Sequence, residues 1–170
     1  MVSPDEFKFG MRHLAGAVSI ITSRIDGKPA GMTATAVCSL TMDPPVLLVC
    51  INKDATSHGP ISDTKRFTVN CLSTDDDALA RHFCIGDMDG RFQVGEWLDA
   101  PSGGIVLKTA LATFDCSVTQ QIEVSTHSIF LGLVEHVAVA TQRWPLVYFN
   151  GRYGGVTVHS PTEAGDVHRR

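Results

Sequence analysis

The chain reads as one mainly β domain: an antiparallel barrel or sandwich with a few packed helices. Two observations predict this. Segments of strand character outnumber helical ones and are not joined by the regular helical crossovers of a doubly wound sheet. The 170 residues are 44% apolar, enough to bury one core and too few for two comfortable domains. The expected organisation is a single domain over 1–156 and a mobile tail over 157–170.

The first 16 residues contain a helix signal, SPDEFKFGMRHLAG over 3–16. Ser3 caps it, Pro4 suits the first helical position and Glu6 completes a capping box. Phe7, Met11 and Leu14 share a face, and Gly16 ends the segment. Residues 17–40 predict two strands around a turn at Asp26–Gly27. Asp43–Pro44–Pro45 forces another turn, because two residues lack a ladder N–H. The run PVLLVCIN over 45–52 is apolar without alternation, which predicts a strand at the middle of the core. A helical turn from Ser57 then leads to the strand RFTVNCL. Residues 73–84 predict a second helix. Ser73 or Thr74 caps it, Asp75, Asp76 and Asp77 complement its dipole, and Leu79 and Phe83 form its apolar face. A long glycine-punctuated loop over 85–104 precedes strands near 111–125 and 128–141, and 145–155 closes the ordered part.

Several classes fall away. A net charge of −4 with scattered Lys and Arg argues against nucleic acid, which needs clustered cations. No apolar run reaches the roughly 20 residues of a membrane helix, and the N-terminus lacks the layout of a secretory signal. Five widely spaced cysteines without a CxxC predict reduced thiols in a cytoplasmic protein, and no metal site. The segment DMDGRF (87–92) fails as a calcium loop, since Phe92 and Leu98 stand where Gly and Glu are required. GxSxG and P-loop motifs are absent.

Residues 33–40 stand out. As one extended strand they alternate, with Thr33, Thr35, Val37 and Ser39 on one face and Ala34, Ala36, Cys38 and Leu40 on a small-residue core face. Three short hydroxyl side chains leave room above the strand for a flat ligand; the plainer reading is a solvated strand of β-favouring threonines. The strand after the proline turn brings Asn52, Lys53, Ser57 and His58 back to the same mouth, where they suit a phosphate or simply end a strand.

At family level, TATAVCSLTMDPPVLLVCINKDATSH resembles the signature of the flavin reductase-like proteins, the NAD(P)H:flavin oxidoreductases of two-component monooxygenases. Four further segments resemble that family in the same order: GAVSIITSRIDGKPAGMTA, RFTVNCLSTDDDALARHF, THSIFLGLVEHV and PLVYFNGRYGGV. The chain departs in one place, with Ser125–Thr126 where the family has Gly-Asp before the histidine. The resemblance implies an antiparallel FMN-binding split β-barrel of Greek-key type, a homodimer, and hydride transfer from NADH or NADPH to FMN or FAD. Reduced flavin then passes to a partner oxygenase. Two alternatives remain open: a retained flavin serving another acceptor, such as a corrinoid or metal complex, and a non-catalytic flavin binder.

The resemblance places His127 near nicotinamide and flavin, where it would orient the carboxamide or stabilise ring charge; the plain alternative is a strand-end histidine on a carbonyl. It sets Thr33, Ala34, Thr35 and Ala36 along the flavin ring, Ser39 by the ribityl or phosphate, and Asn52, Lys53, Ser57 and His58 on the phosphate side. Asn70, Cys71 and Leu72 are expected beside the flavin tail, with Asn70 otherwise satisfying a sheet edge. Phe83 stacks or belongs to the helix core, Arg91 reaches a phosphate or is solvated, and Tyr153 covers the ring from a partner subunit or is a surface aromatic.

Overall fold

The computed structural model describes residues 1–85 and 90–158, so most of the expected tail and Asp87–Asp89 of DMDGRF lie outside the described residues. Seven antiparallel strands form the main sheet. They are β2 (Ser19–Ile25), β3 (Lys28–Ala34), β4 (Val37–Met42), β5 (Pro45–Asn52), β6 (Arg66–Cys71), β9 (Ala112–Val124) and β10 (His127–Val139), in the order β3-β2-β6-β9-β10-β5-β4. The edge strands β3 and β4 are consecutive in the chain. Only Thr35 and Ala36 separate them, so the two edges meet within a reach of about 11 Å and the sheet curls into a split barrel. Ala36 O accepts from Cys50 N at 3.0 Å, which fastens the junction to β5.

Local chemistry explains the elements. The β2–β3 hairpin turns at Asp26 and Gly27, both at positive φ (49° and 75°), the combination a two-residue hairpin turn requires. Helix α1 (Pro4–Met11) has its capping box: Ser3 Oγ accepts from Glu6 N at 3.2 Å, and Glu6 Oε2 accepts from Ser3 N at 2.8 Å. It is shorter than the 3–16 segment suggests and buries no residue. Helix α2 spans His58–Thr64. A 3-10 turn (Thr74–Asp76) leads into α3 (Asp77–Ile85), where Asp76 Oδ2 accepts from Ser73 N and Oγ at 2.9 and 2.7 Å.

The interior has two parts. Ile21, Val49, Ile51, Phe67, Val69 and Phe130 lie at the centre of the barrel. Val18, Leu72, Leu79, Phe83, Leu107 and Leu146 form a second cluster under α3. The 85–104 loop holds more order than its glycines suggest: β7 (Trp97–Asp99) pairs with β8 (Ile105–Leu107). A small sheet of β1 (Gly16–Ala17), β11 (Val147–Phe149) and β12 (Arg152–Gly154) closes the described chain.

Two sequence expectations are corrected. Residues 33–40 are not one strand. The ladder stops at Thr35–Ala36, and of the supposed core face only Ala34 is buried. Val37 and Ser39 pair with the buried Val49 and Leu47, yet Val37 is only half-buried and Cys38, Ser39 and Leu40 are exposed. Strand β5 is not sealed on both faces either: Leu47, Val49 and Ile51 are buried, whereas Val46, Leu48 and Cys50 are half-buried. It pairs with β10 on one side and with the edge strand β4 on the other.

Candidate functional site

The barrel junction assembles the chemistry. Thr35 and Ala36 are exposed, carry short side chains and have no ladder partner. Next to them Cys50 leads to Asn52, and register sets Asn52 opposite His127. Residues alternate across a strand, so Asn52, Cys50, His127 and Ile129 share the outer face. His127 is exposed, with Nδ1 2.9 Å from Thr126 Oγ1. Lys53 N donates to Thr126 O at 2.9 Å, tying the two turns together. Lys53 Nζ meets Glu123 Oε2 at 2.8 Å, and that bond holds the Glu123 carboxyl below the usual carboxylate range.

Behind this strip lies a partly buried polar layer. His58 Nε2 is 2.8 Å from Ser128 Oγ, and its ring meets Phe130 edge-on at 5.4 Å. Ser57 is fully buried and its Oγ has no hydrogen-bond partner among the described residues. An orphaned hydroxyl of this kind marks a position that a further polar group completes. Along the β3 edge, Arg91 Nη1 donates to Gly31 O at 2.8 Å and to Thr56 Oγ1 at 3.1 Å. These residues, with Lys28, Pro29 and Phe92, line a depression of about 310 Å³. Gly31 is required there: a Cβ would come within 2.9 Å of both Phe83 and Phe92. Thr33 Oγ1 donates to Ala80 O at 2.7 Å, so it links β3 to α3.

The remaining sequence candidates sit elsewhere. Ser39 and Cys71 line a separate apolar trough of about 460 Å³ with Val37, Leu47, Phe114 and Val137. Burial pushes the Cys71 thiol up, against a hydrogen bond from Ser19 that lowers it. Ala34, Leu72 and Phe83 are buried in the two clusters. Asn70 is fully buried: Nδ2 donates to Ile20 O and Thr22 Oγ1, both at 3.1 Å, and Oδ1 accepts from Leu107 N at 2.8 Å. Tyr153 stacks under Arg81 at 4.9 Å and meets Tyr148 edge-on.

Three residues escaped the sequence reading. Ser128 carries a signal: a buried hydroxyl on the inward face of β10 needs a partner, and His58 supplies it. Thr56 stands within the polar turn beside Ser57. Glu123 has no local signal, because strand pairing alone brings it to Lys53.

The flavin reductase like domain model matches residues 11–157. FMN reductase (NADH) RutF of Pantoea ananatis is 39% identical over 153 residues, 89% of this chain and 80% of that protein. The 4-hydroxyphenylacetate 3-monooxygenase reductase component of Pseudomonas aeruginosa is 37% identical over 147 residues, 85% of this chain and 86% of its own length. The solved structure of the Streptomyces globisporus C-1027 NADH:FAD oxidoreductase SgcE6, in complex with NAD and FAD fragments, matches with a TM-score of 0.84 at 26% identity, covering 96% of this chain and 98% of that one.

Proposed function

The chain belongs to the flavin reductase like domain family, and from that premise we propose that its junction strip holds a flavin and a reduced nicotinamide face to face. It is an oxidoreductase that passes a hydride from NADH to flavin. When bound, the flavin supplies the ring that accepts the hydride.

The residues present fit such a group. Thr35 and Ala36 leave the ring space and offer backbone groups outside a ladder. Ser57 Oγ, lacking a partner, suits the polar end of the ligand, and Lys53 supplies a cation once it exchanges Glu123 for a phosphate. His127 has Nδ1 engaged by Thr126, so Nε2 is the nitrogen that serves the carboxamide or the ring edge. No acid–base step is asked of these side chains. Their task is to hold two planar rings in contact, within roughly 3–3.5 Å, and to keep water out.

The observation that carries this reading is the exposed Thr35–Ala36 junction set against the Asn52–His127 pair. Replacing Ala36 with Phe fills that space. The variant is expected to keep its melting temperature and lose flavin binding in an equilibrium fluorescence titration. An unchanged affinity moves the ligand elsewhere.

A second copy completes the molecule. Val46 and Leu48 of β5 and Leu131 and Leu133 of β10 form an outer apolar face that is only half-buried. A homodimer that buries this face explains why β5 is apolar on both sides. The acceptor of reduced flavin is a partner oxygenase, as the name of the Pseudomonas relative states for that protein. The five free thiols are consistent with work in the cytoplasm, and no described helix is long and apolar enough to cross a membrane.

A further inference from the structure

Helix α1 buries none of its residues among the described residues of its own chain. Phe7 is 62% exposed and Met11 47%, and Leu14, in the turn just past the helix end, is 63% exposed. Eight residues are too few for a helix to persist by propensity alone, since isolated helices need about 12–15 to be even marginal in water. The capping box fixes the first turn but gives the apolar side no cover. What anchors the segment lies at its other end. Asn150 N donates to Arg12 O at 2.8 Å, the His13 ring meets Phe149 edge-on at 6.2 Å, and Gly16 pairs with Tyr148.

The second observation is the apolar trough beside β4. Its volume of about 460 Å³ lies within the range of pockets that take bulky organic groups. No residue before Ala17 lines it. The link from Arg12 to Ala17 is short and held at both Arg12 and Gly16. Folding α1 back into its own trough therefore means opening the Arg12–Asn150 bond and the Gly16–Tyr148 pair.

We propose that the seam Phe7–Met11–Leu14 of one copy seats in the trough of a second copy, and reciprocally, so that exchanged N-terminal helices clasp the dimer. This rests on the dimer described above. Each of the three side chains removes about 100 Å² from water when buried. Counted on both surfaces of both copies, that is about 1,200 Å², the low end of a stable interface before the outer sheet face adds its share. The exchange is self-complementary, as a two-fold interface must be. It also covers Ser39 and Cys71, which leaves the junction strip as the open place for a ligand.

The native thiols make the test direct, because Cys38 and Cys71 both line the trough. Phe7→Cys and Met11→Cys are made separately in the full chain and oxidised with diamide, which takes two electrons and two protons as two thiols become one disulfide. The expected result is a covalent dimer from at least one of them, mapped by peptide mass spectrometry to Cys38 or Cys71. It disappears in the Cys38→Ser/Cys71→Ser background. Bridges within one chain, bridges to Cys50 or Cys84, or no bridge from either position overturn the exchange. Light scattering on the unmodified protein separates the two levels: a monomer sinks the dimer and the exchange together, whereas a dimer that forms no such bridge sinks the exchange alone. The Phe7→Ser/Met11→Ser variant is expected to raise the dimer dissociation constant by about tenfold or more; an unchanged constant also contradicts the exchange.

Discussion

His127 and Cys116 show how place sets the role of a side chain. His127 is exposed at the start of β10, with one ring nitrogen committed to Thr126. Replacing it with Ala is expected to lower kcat/KM for NADH about tenfold, ~1.4 kcal/mol and the scale of one hydrogen bond, while flavin affinity stays within about twofold. Steady-state kinetics beside a flavin titration check this; if both quantities stay at wild-type values, the histidine serves only the turn. Cys116 is the opposite case. Burial first, then the Asp115 and Glu135 charges, push its thiol from the usual 9.0 to about 12. It is therefore a packing group and not a redox one. Because the folded pKa lies above the unfolded one, its contribution to stability is complete below pH about 9 and is lost as pH climbs toward about 12. The total is on the order of 3–4 kcal/mol. Denaturant melts at pH 8 and pH 10.5 are expected to show a steeper alkaline loss in the wild type than in Cys116→Ala, and parallel losses contradict that assignment.

Among the elements, strands and turns were legible where chemistry is local. The Asp26–Gly27 turn, the Ser3 cap and the bounds of β5 all follow from neighbours in sequence. The faces were less legible. An extended reading of 33–40 assumes an unbroken ladder, yet barrel closure interrupts it at Thr35–Ala36 and leaves every following residue of β4 exposed except the half-buried Val37. The all-apolar β5 suggested burial on both sides, whereas Val46, Leu48 and Cys50 are only half-buried among the described residues. The site shows the same division. Thr35, Ala36, Asn52, Lys53 and His127 gather at the junction, but Asn70 on β6 bonds two elements that alternation cannot foresee: Ile20 on β2, and Ile105 and Leu107 on β8. Asn70→Ala leaves Leu107 N–H without its partner and is expected to cost about 2–4 kcal/mol. That lowers the melting temperature by roughly 5–12 °C. Flavin affinity of the folded fraction is expected to be unchanged. A loss of affinity without loss of stability would return Asn70 to the binding groove.

For the whole molecule, the sheet order explains why the site exists at all. A seven-stranded antiparallel sheet closed by two small residues brings its edges together at Thr35–Ala36, and the turn after β5 lies beside that junction. The direct measurement is anaerobic. Purified protein is mixed with excess FMN or FAD and NADH, and the flavin absorbance band is followed. Bleaching of many equivalents of flavin per protein is expected, with loss of that turnover in Ala36→Phe. Binding of flavin without bleaching, or turnover that survives filling the junction, would contradict it.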